Sequence, residues 1–166
     1  MIRLVLHVLF APLVLASAQT DFVHWETPHV SPVALDAVGQ RLLVCNTPDA
    51  RLEVLDVSNG VPVPLTSIPV GLDPVSVRLR GGDEAWVVNS ISDSISVVDL
   101  ASGSVVRTIR TADEPADVVF AGNPVRAFVS CSQPNLVQVF DPDAPGAPLA
   151  EVPLRAEEPR AMAVSP

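Results

Sequence analysis

Acidic side chains recur directly before the proline that opens a repeat at three places in the chain, and this repeated position is the first candidate for chemistry. The three residues are Asp73, Glu114 and Glu158. Carboxylate oxygens are the ligands that a hard cation such as Ca²⁺ prefers, and they suit a cationic ligand or partner equally well. A solvated acidic loop is the alternative, since charged side chains usually lie at the surface. The fold must bring these three links together if they form one site.

Two further charged residues follow the same prolines. Asp117 comes two residues after Pro115, and Arg160 comes one residue after Pro159. Both lie where the next β-strand is predicted to begin. We therefore include Asp117 and Arg160 with the acidic links as candidate ligand-binding residues.

A second spacing concerns turns rather than ligands. Two repeats have an asparagine ten residues before an aspartate, and a third has cysteine in place of the asparagine: Asn46 and Asp56, Asn89 and Asp99, Cys131 and Asp141. Asn and Asp side chains bond nearby backbone groups where a strand gives way to a turn. We expect structural roles for these residues.

Residue types that bind metals or react as nucleophiles are sparse. His24 and His29 are five residues apart with no carboxylate cluster nearby, which is a poor metal site. Cys45 and Cys131 lie in different repeats, whereas a disulfide needs Cα atoms within about 7 Å of each other. We predict two separate buried thiols, and we assign no catalytic residue, no metal ligand and no cofactor.

These residues are set in a repeat of about 42 positions. Three segments align from Pro32, Pro74 and Pro115, a fourth starts at Pro159, and the prolines are 42, 41 and 44 residues apart. In the second segment, turn residues separate four short apolar runs: Val75–Leu79, Glu84–Asn89, Ser94–Leu100 and Val105–Arg110. A four-stranded antiparallel unit of this length is one blade of a β-propeller.

Within this repeat, the chain resembles the YVTN-type β-propeller family, a WD40-like fold. The resemblance rests on LVCN at 43–46, WVVN at 86–89 and FVSC at 128–131, and on GLDP at 71–74 before a strand. It covers about Pro32 to Pro166, and the third repeat departs from it with Cys131 at the asparagine position. Members of this family serve as binding scaffolds, as surface-layer or periplasmic proteins, and as domains beside redox proteins, and the resemblance implies a role of this kind. Some related seven-bladed propellers are lactonases.

The predicted fold is all-β, with three blades and the first strand of a fourth in an open, incomplete ring. The blades are bounded as 32–73, 74–114, 115–158 and, in part, 159–166. Known propellers close with four to eight blades, so we expect the chain to be a piece of a longer protein, or to complete a ring by oligomerising. In such a fold the acidic links reach the mouth of the central channel.

The N-terminus has the features of an export signal. Arg3 precedes an apolar run from Leu4 to Leu15, and Ala16-Ser17-Ala18 has the form of a cleavage site. We predict a signal peptide over 1–18, no membrane span after its removal, and a periplasmic or secreted location. Residues 19–31 are predicted to hold a strand that closes the ring, through Phe22, Trp25 and Val30.

The charge balance narrows the range of partners. The net charge is −9, and all ten basic residues are arginine. Such a surface repels phosphate backbones, so no nucleic-acid partner is expected. We predict an extracytoplasmic binding or interaction scaffold for an unidentified protein or small molecule. The alternative is the propeller domain of an enzyme, either a lactonase-like hydrolase or a redox-associated periplasmic protein.

Overall fold

The computed structural model describes residues 27–36 and 40–165, and these form three four-stranded antiparallel sheets. The predicted all-β fold is confirmed, and no helix that could span a membrane occurs among the described residues. The predicted signal peptide lies outside them, as do Phe22, Trp25 and His24.

Each sheet is a meander of consecutive strands, as the spacing of turns predicts. The first contains β1 (Val33–Leu35), β2 (Arg41–Asn46), β3 (Arg51–Asp56) and β4 (Val63–Pro69). The second contains β5 (Pro74–Leu79), β6 (Glu84–Asn89), β7 (Ser94–Asp99) and β8 (Ser104–Arg110). The third contains β9 (Pro115–Ala121), β10 (Arg126–Cys131), β11 (Leu136–Phe140) and β12 (Ala150–Pro153).

The blades are held together by apolar faces that meet in a constant register. We call the side of a blade that faces the next blade its forward face, and the opposite side its backward face. The forward face of the first blade buries five side chains against the second: Leu43, Cys45, Leu52, Val54 and Ile68. The second blade buries the equivalent five against the third: Trp86, Val88, Ile95, Val97 and Ile109.

Trp86 is the largest side chain in this packing. It is 0% exposed, and its ring meets that of Phe120 edge to face, with 5.1 Å between centroids and 88° between planes. Its Nε1 donates a 2.6 Å hydrogen bond to Glu84 Oε1, so the polar end of the indole is satisfied. The second and third blades are thereby fixed relative to each other.

The forward face of the third blade has the same pattern but no described blade beside it. Its apolar side chains stand at the positions that the first two blades bury, and all are at least partly exposed: Phe128, Val137, Val139 and Val152. Val152 is 47% exposed, whereas its equivalent Ile109 is 2% exposed. The third blade therefore presents an open apolar face.

The predicted first strand of a fourth blade is not formed. Residues 160–165 belong to no strand, and they are attached to the third blade by two hydrogen bonds. Ser130 Oγ donates to the Arg160 carbonyl at 2.6 Å, and the Met162 amide donates to Asp117 Oδ2 at 3.0 Å. A strand is stabilised by its ladder partner, and no described strand pairs with this segment.

The end of the predicted ring-closing segment contacts the second blade. The Val30 amide donates to the Val75 carbonyl at 3.0 Å, and the Val77 amide donates to the Ser31 carbonyl at 2.9 Å. The described end of this segment, residues 27–31, thus joins the first two blades. The rest of the predicted ring-closing segment, with Phe22 and Trp25, lies outside the described residues, so ring closure stays a prediction.

A close approach in the second blade explains why glycine begins the GLDP motif. A Cβ atom built on Gly71 would lie 2.6 Å from Cγ of Asn89, which is buried beneath the link. In the third blade the equivalent pair is Ala112 and Cys131, and Ala112 packs against the core cluster that contains Cys131. The two blades thus use matched pairs, a glycine with the larger amide and an alanine with the smaller thiol.

This matching predicts that the effects of changes at positions 71 and 89 on the free energy of unfolding are not additive. Gly71→Ala should lower the free energy of unfolding by about 1–3 kcal/mol, because overpacking forces side chains or backbone to move. In the double variant with Asn89→Cys, part of that loss should return, by about 1 kcal/mol or more relative to the sum of the single changes. Denaturant unfolding measures all three variants.

Gly146→Ala is the control, since a Cβ atom there would meet nothing within 4 Å and its backbone needs no positive φ. Additive effects of the Gly71 and Asn89 changes would contradict the matched-pair interpretation.

Candidate functional site

Asp117 lies at the centre of a polar network on the innermost strands. Its side chain is 0% exposed, and its carboxylate accepts hydrogen bonds from the Ser76 hydroxyl at 2.7 Å and from the Met162 amide at 3.0 Å. Arg78 binds it in bidentate fashion, with Nε 3.1 Å from Oδ1 and Nη2 2.8 Å from Oδ2. This charge-assisted pairing links β5, β9 and the C-terminal segment.

Arg78 extends the network to the N-terminal side. Its Nη2 also donates to Ser31 Oγ at 2.8 Å, just before β1. The Arg78 side chain is 35% exposed and lines a cavity of about 400 Å³ together with Val118, Phe120 and Met162. Asp117 thus faces Arg78 rather than solvent, and Arg78 is the member of the pair that a ligand could reach.

Arg160, the other predicted residue of this group, is used through its guanidinium and its backbone. Its Nη2 donates to the Pro28 carbonyl at 2.8 Å, which joins the two ends of the described chain. Its carbonyl accepts from Ser130 Oγ, and the same hydroxyl accepts from the Asp117 amide at 3.1 Å. Asp117 and Arg160 therefore belong to one network.

The acidic links are not gathered into a single site. Glu114 and Glu158 line one cavity of about 440 Å³ with Glu157, Ser132 and Asn135. Asp73 is buried elsewhere, 3% exposed. Among the described residues no group of three His, Cys, Asp or Glu side chains could hold a metal ion.

The three acidic links share a left-handed backbone conformation at the acidic residue. The acidic residues before Pro74, Pro115 and Pro159 have a positive φ: Asp73 at 60°, Glu114 at 50° and Glu158 at 49°. One residue in the turn after the second strand of each blade also has a positive φ: Ala50 at 53°, Asp93 at 47° and Asn135 at 54°. The two sets are bonded across the third blade, where the Glu158 amide donates to Asn135 Oδ1 at 2.8 Å. The equivalent bond in the second blade runs from the Glu114 amide to Asp93 Oδ1 at 3.1 Å.

The three repeated aspartates lie in Asx turns. In each case the carboxylate accepts from the amide two residues later, at 2.8–3.0 Å: Asp56 from Ser58, Asp99 from Ala101 and Asp141 from Asp143. The Ser58 amide lowers the pKa of Asp56, and hydrogen bonds from Ser102 and then from Ala101 lower the pKa of Asp99.

The repeated asparagines hold the turn that follows them. Asn46 Nδ2 donates to Asp49 at 2.9 Å and to Glu53 at 3.1 Å. Asn89 Nδ2 donates to Ser94 at 3.3 Å and to Ser96 at 3.0 Å. In the third blade, Cys131 Sγ lies 3.8 Å from Gln138 Oε1, so a weaker contact replaces this bond.

Both cysteines are buried and free, as the spacing predicts. Burial raises the pKa of each thiol to about 12, so neither is a thiolate near neutral pH. The histidine that the structure describes, His29, contacts Thr47 Oγ1 at 2.5 Å through Nε2. These residues act in packing and turn contacts.

Comparison with known proteins establishes the architecture. The sequence matches no family profile and no curated protein. The chain is similar in structure to hydrazine synthase from Kuenenia stuttgartiensis, with a TM-score of 0.71 and 21% identity over 85% of this chain and 41% of that one. These similarities show a β-propeller fold, and at this level of identity they show the fold alone.

Two further solved structures agree. One is a putative 6-phosphogluconolactonase from Bacteroides uniformis, with a TM-score of 0.64 and 21% identity over 78% of this chain and 45% of that one. The other is AztD from Citrobacter koseri, with a TM-score of 0.62 and 13% identity over 77% of this chain and 36% of that one. The chain therefore spans less than half the length of each of these three proteins.

Sequence reasoning found Asp117 but not what it binds. Its partners Ser76 and Arg78 are 41 and 39 positions away, one repeat earlier, so no local pattern connects them. The available signal was a charged residue in the otherwise apolar run PADVVF, which predicts a buried polar contact.

Replacement of the central carboxylate should destabilise the fold more than a turn carboxylate does. Asp117→Asn should lower the free energy of unfolding by about 2–4 kcal/mol, because it leaves Arg78 without its counter-charge. The loss stays below that of a fully buried pair because Arg78 is partly exposed. Urea unfolding monitored by circular dichroism measures it.

Asp141→Asn is the matched control, since asparagine also forms the Asx turn, and it should change stability by less than about 0.5 kcal/mol. Equal effects of the two variants would show that the Asp117 network does not join the blades.

Proposed function

We propose that the chain functions as part of an extracytoplasmic β-propeller scaffold that binds other proteins or small molecules. The observation that carries this proposal is the open forward face of the third blade. Its side chains Phe128, Val137 and Val152 stand where the preceding blades bury their equivalents. These side chains are already partly buried, so covering each is worth less than the roughly 1.5–3 kcal/mol of full burial, but the gain still favours a protein surface against this face.

A further β-propeller blade is the cover that fits best. At both described interfaces a forward face packs on the backward face of the next blade. The backward face of a further blade could therefore pack on the third blade in the same way. The length comparison supports this, because three blades make up 41% and 45% of the first two similar chains. We propose that further blades complete the ring and that its loops bind the partner.

The export signal supports a location outside the cytoplasm. Arg3, the apolar run from Leu4 to Leu15 and the site before Gln19 fit signal peptidase processing. The acidic net charge fits a soluble scaffold that repels nucleic acid.

The open face can be tested by placing charge on it. When the 166-residue chain is expressed with its own N-terminus, it should be recovered outside the cytoplasm, and its mass should be that of a chain beginning at Gln19. Val137→Asp with Val152→Asp should keep the β-sheet circular dichroism spectrum, and should reduce both self-association and binding of an apolar dye. The reason is that these side chains are not buried within the fold.

The matched control places aspartate at the equivalent positions of the second blade, Ile95 and Ile109, which are buried. That variant should unfold, since each change buries an uncompensated charge. Unfolding of the third-blade variant, or a wild-type chain that binds no dye, would contradict an open face. Retention in the cytoplasm with residues 1–18 attached would contradict the proposed location.

A further inference from the structure

A cavity of about 430 Å³ lies where the link from the first blade crosses the outer strands of the second. One wall is the segment from Pro69 to Gly71, and the other is formed by β7, β8 and the turn before β7. The second-blade residues that line it are mostly hydroxyl-bearing: Ser92, Ser94, Ser96, Thr108 and, at one end, Arg110. A volume of this size suits a small ligand.

The repeat shows why the cavity is present in this blade. The first blade has Arg51, Glu53 and Ser67 at the positions of Ser94, Ser96 and Thr108. These three fill the space with their own bonds, from Arg51 Nε to Ser67 Oγ at 2.6 Å and from Ser67 Oγ to Glu53 at 2.8 Å.

The third blade fills the same space with a different pair. Gln138 stands at the Ser96 position and Glu151 at the Thr108 position, and Gln138 Nε2 donates to Glu151 at 2.8 Å. Only short side chains occupy these positions in the second blade. The space that its neighbours fill with long polar side chains is therefore left as a cavity.

The serine hydroxyls are arranged to donate into this space. Ser92 Oγ accepts from the Leu72 amide at 2.7 Å, and Ser96 Oγ accepts from Asn89 Nδ2 at 3.0 Å and from the Gly71 amide at 3.3 Å. Ser94 Oγ accepts from Asn89 Nδ2 at 3.3 Å. With the Asn89 amide in this orientation, its Oδ1 has no partner among the described residues and none of the three hydroxyls donates to one, although Ser94 and Ser96 are only 5% and 3% exposed.

A hydroxyl that accepts bonds and donates none favours a ligand that accepts, and Ser96 Oγ, which accepts two bonds, is the clearest case. Arg110 adds a guanidinium at the end of β8, and it forms no ion pair with any described residue. The lining contains no carboxylate, in a chain whose net charge is −9. The cavity lining therefore offers hydroxyl donors and one positive charge beside the apolar Pro69, Val70 and Val105.

We propose that this cavity binds a small oxyanion, a phosphate or carboxylate group, through Arg110 and the hydroxyls of Ser94, Ser96 and Thr108. The site stands apart from the proposed scaffold role, because it lies between the first two blades and away from the open face of the third. Failure of one proposal leaves the other unaffected.

Equilibrium dialysis with radiolabelled inorganic phosphate tests the proposal on the full-length chain at fixed ionic strength. Saturable binding of one phosphate per chain is expected, with displacement by succinate but not by glucose. Arg110→Ala should weaken it at least about tenfold, since a hydrogen bond to a charged group is lost. Thr108→Glu should abolish it by placing a carboxylate in the cavity, as Glu151 does in the third blade.

Arg107→Ala is the matched control, because Arg107 is on the same strand, is exposed and does not line the cavity. It should change the affinity by less than about twofold, since only screened long-range charge is removed. Equal weakening by the two arginine variants, non-saturable binding, or competition by glucose as strong as that by succinate would each overturn the assignment.

Discussion

The contact between the forward face of one blade and the backward face of the next is the constraint on which the whole arc depends. Each four-stranded sheet is too small to bury an apolar core by itself, and it is stabilised by the neighbouring blades that cover its faces. The second blade is covered on both sides, by Leu43 and its neighbours on one side and by Phe140 and Val129 on the other. The first and third blades each keep one face partly exposed.

Polar contacts then add precision to this apolar packing. Asp117 on β9 is bound by Arg78 on β5, and Arg78 also reaches Ser31 before β1. One guanidinium thereby joins the innermost strands of the second and third blades to the segment just before β1. The Asp117 carboxylate also accepts hydrogen bonds from Ser76 and Met162, so both of its oxygens are bonded despite their burial.

Side chains at the same position of the repeat can fill space in one blade and border a cavity in another. Asn46 holds charged neighbours that fill their own space, whereas Asn89 holds two serines beside a cavity. Comparison of the side chains at equivalent positions therefore shows where one blade does not fill the space that the others fill. In a fold whose blades share one backbone, such departures are the places to look for ligands.

Much of this architecture could be predicted from the sequence because its signals are local. The predicted strand Glu84–Asn89 matches β6, and the other three strands of that blade differ by one residue at one end. Turn chemistry at Asp99 and Asn89 also follows from residue type and position. The contacts of Asp117 could not be predicted, since they join residues about one repeat apart.

The location of the acidic links was the least predictable feature. Glu114 and Glu158 line one cavity, whereas Asp73 is buried and does not line it, although the three links share one backbone geometry. The first strand of a fourth blade was expected at 159–166 from its resemblance to earlier repeats. Repetition predicts a strand only where a ladder partner exists, and the described chain has none for that segment.

Native-state hydrogen exchange on the full-length chain tests the central claim, that covered faces stabilise the blades. Amides of β6 and β7 should exchange slowest, because the second blade is packed on both sides, and those of β2, β3, β10 and β11 should exchange faster. Protection that is equal across the three blades, or greatest in the third, would contradict this account.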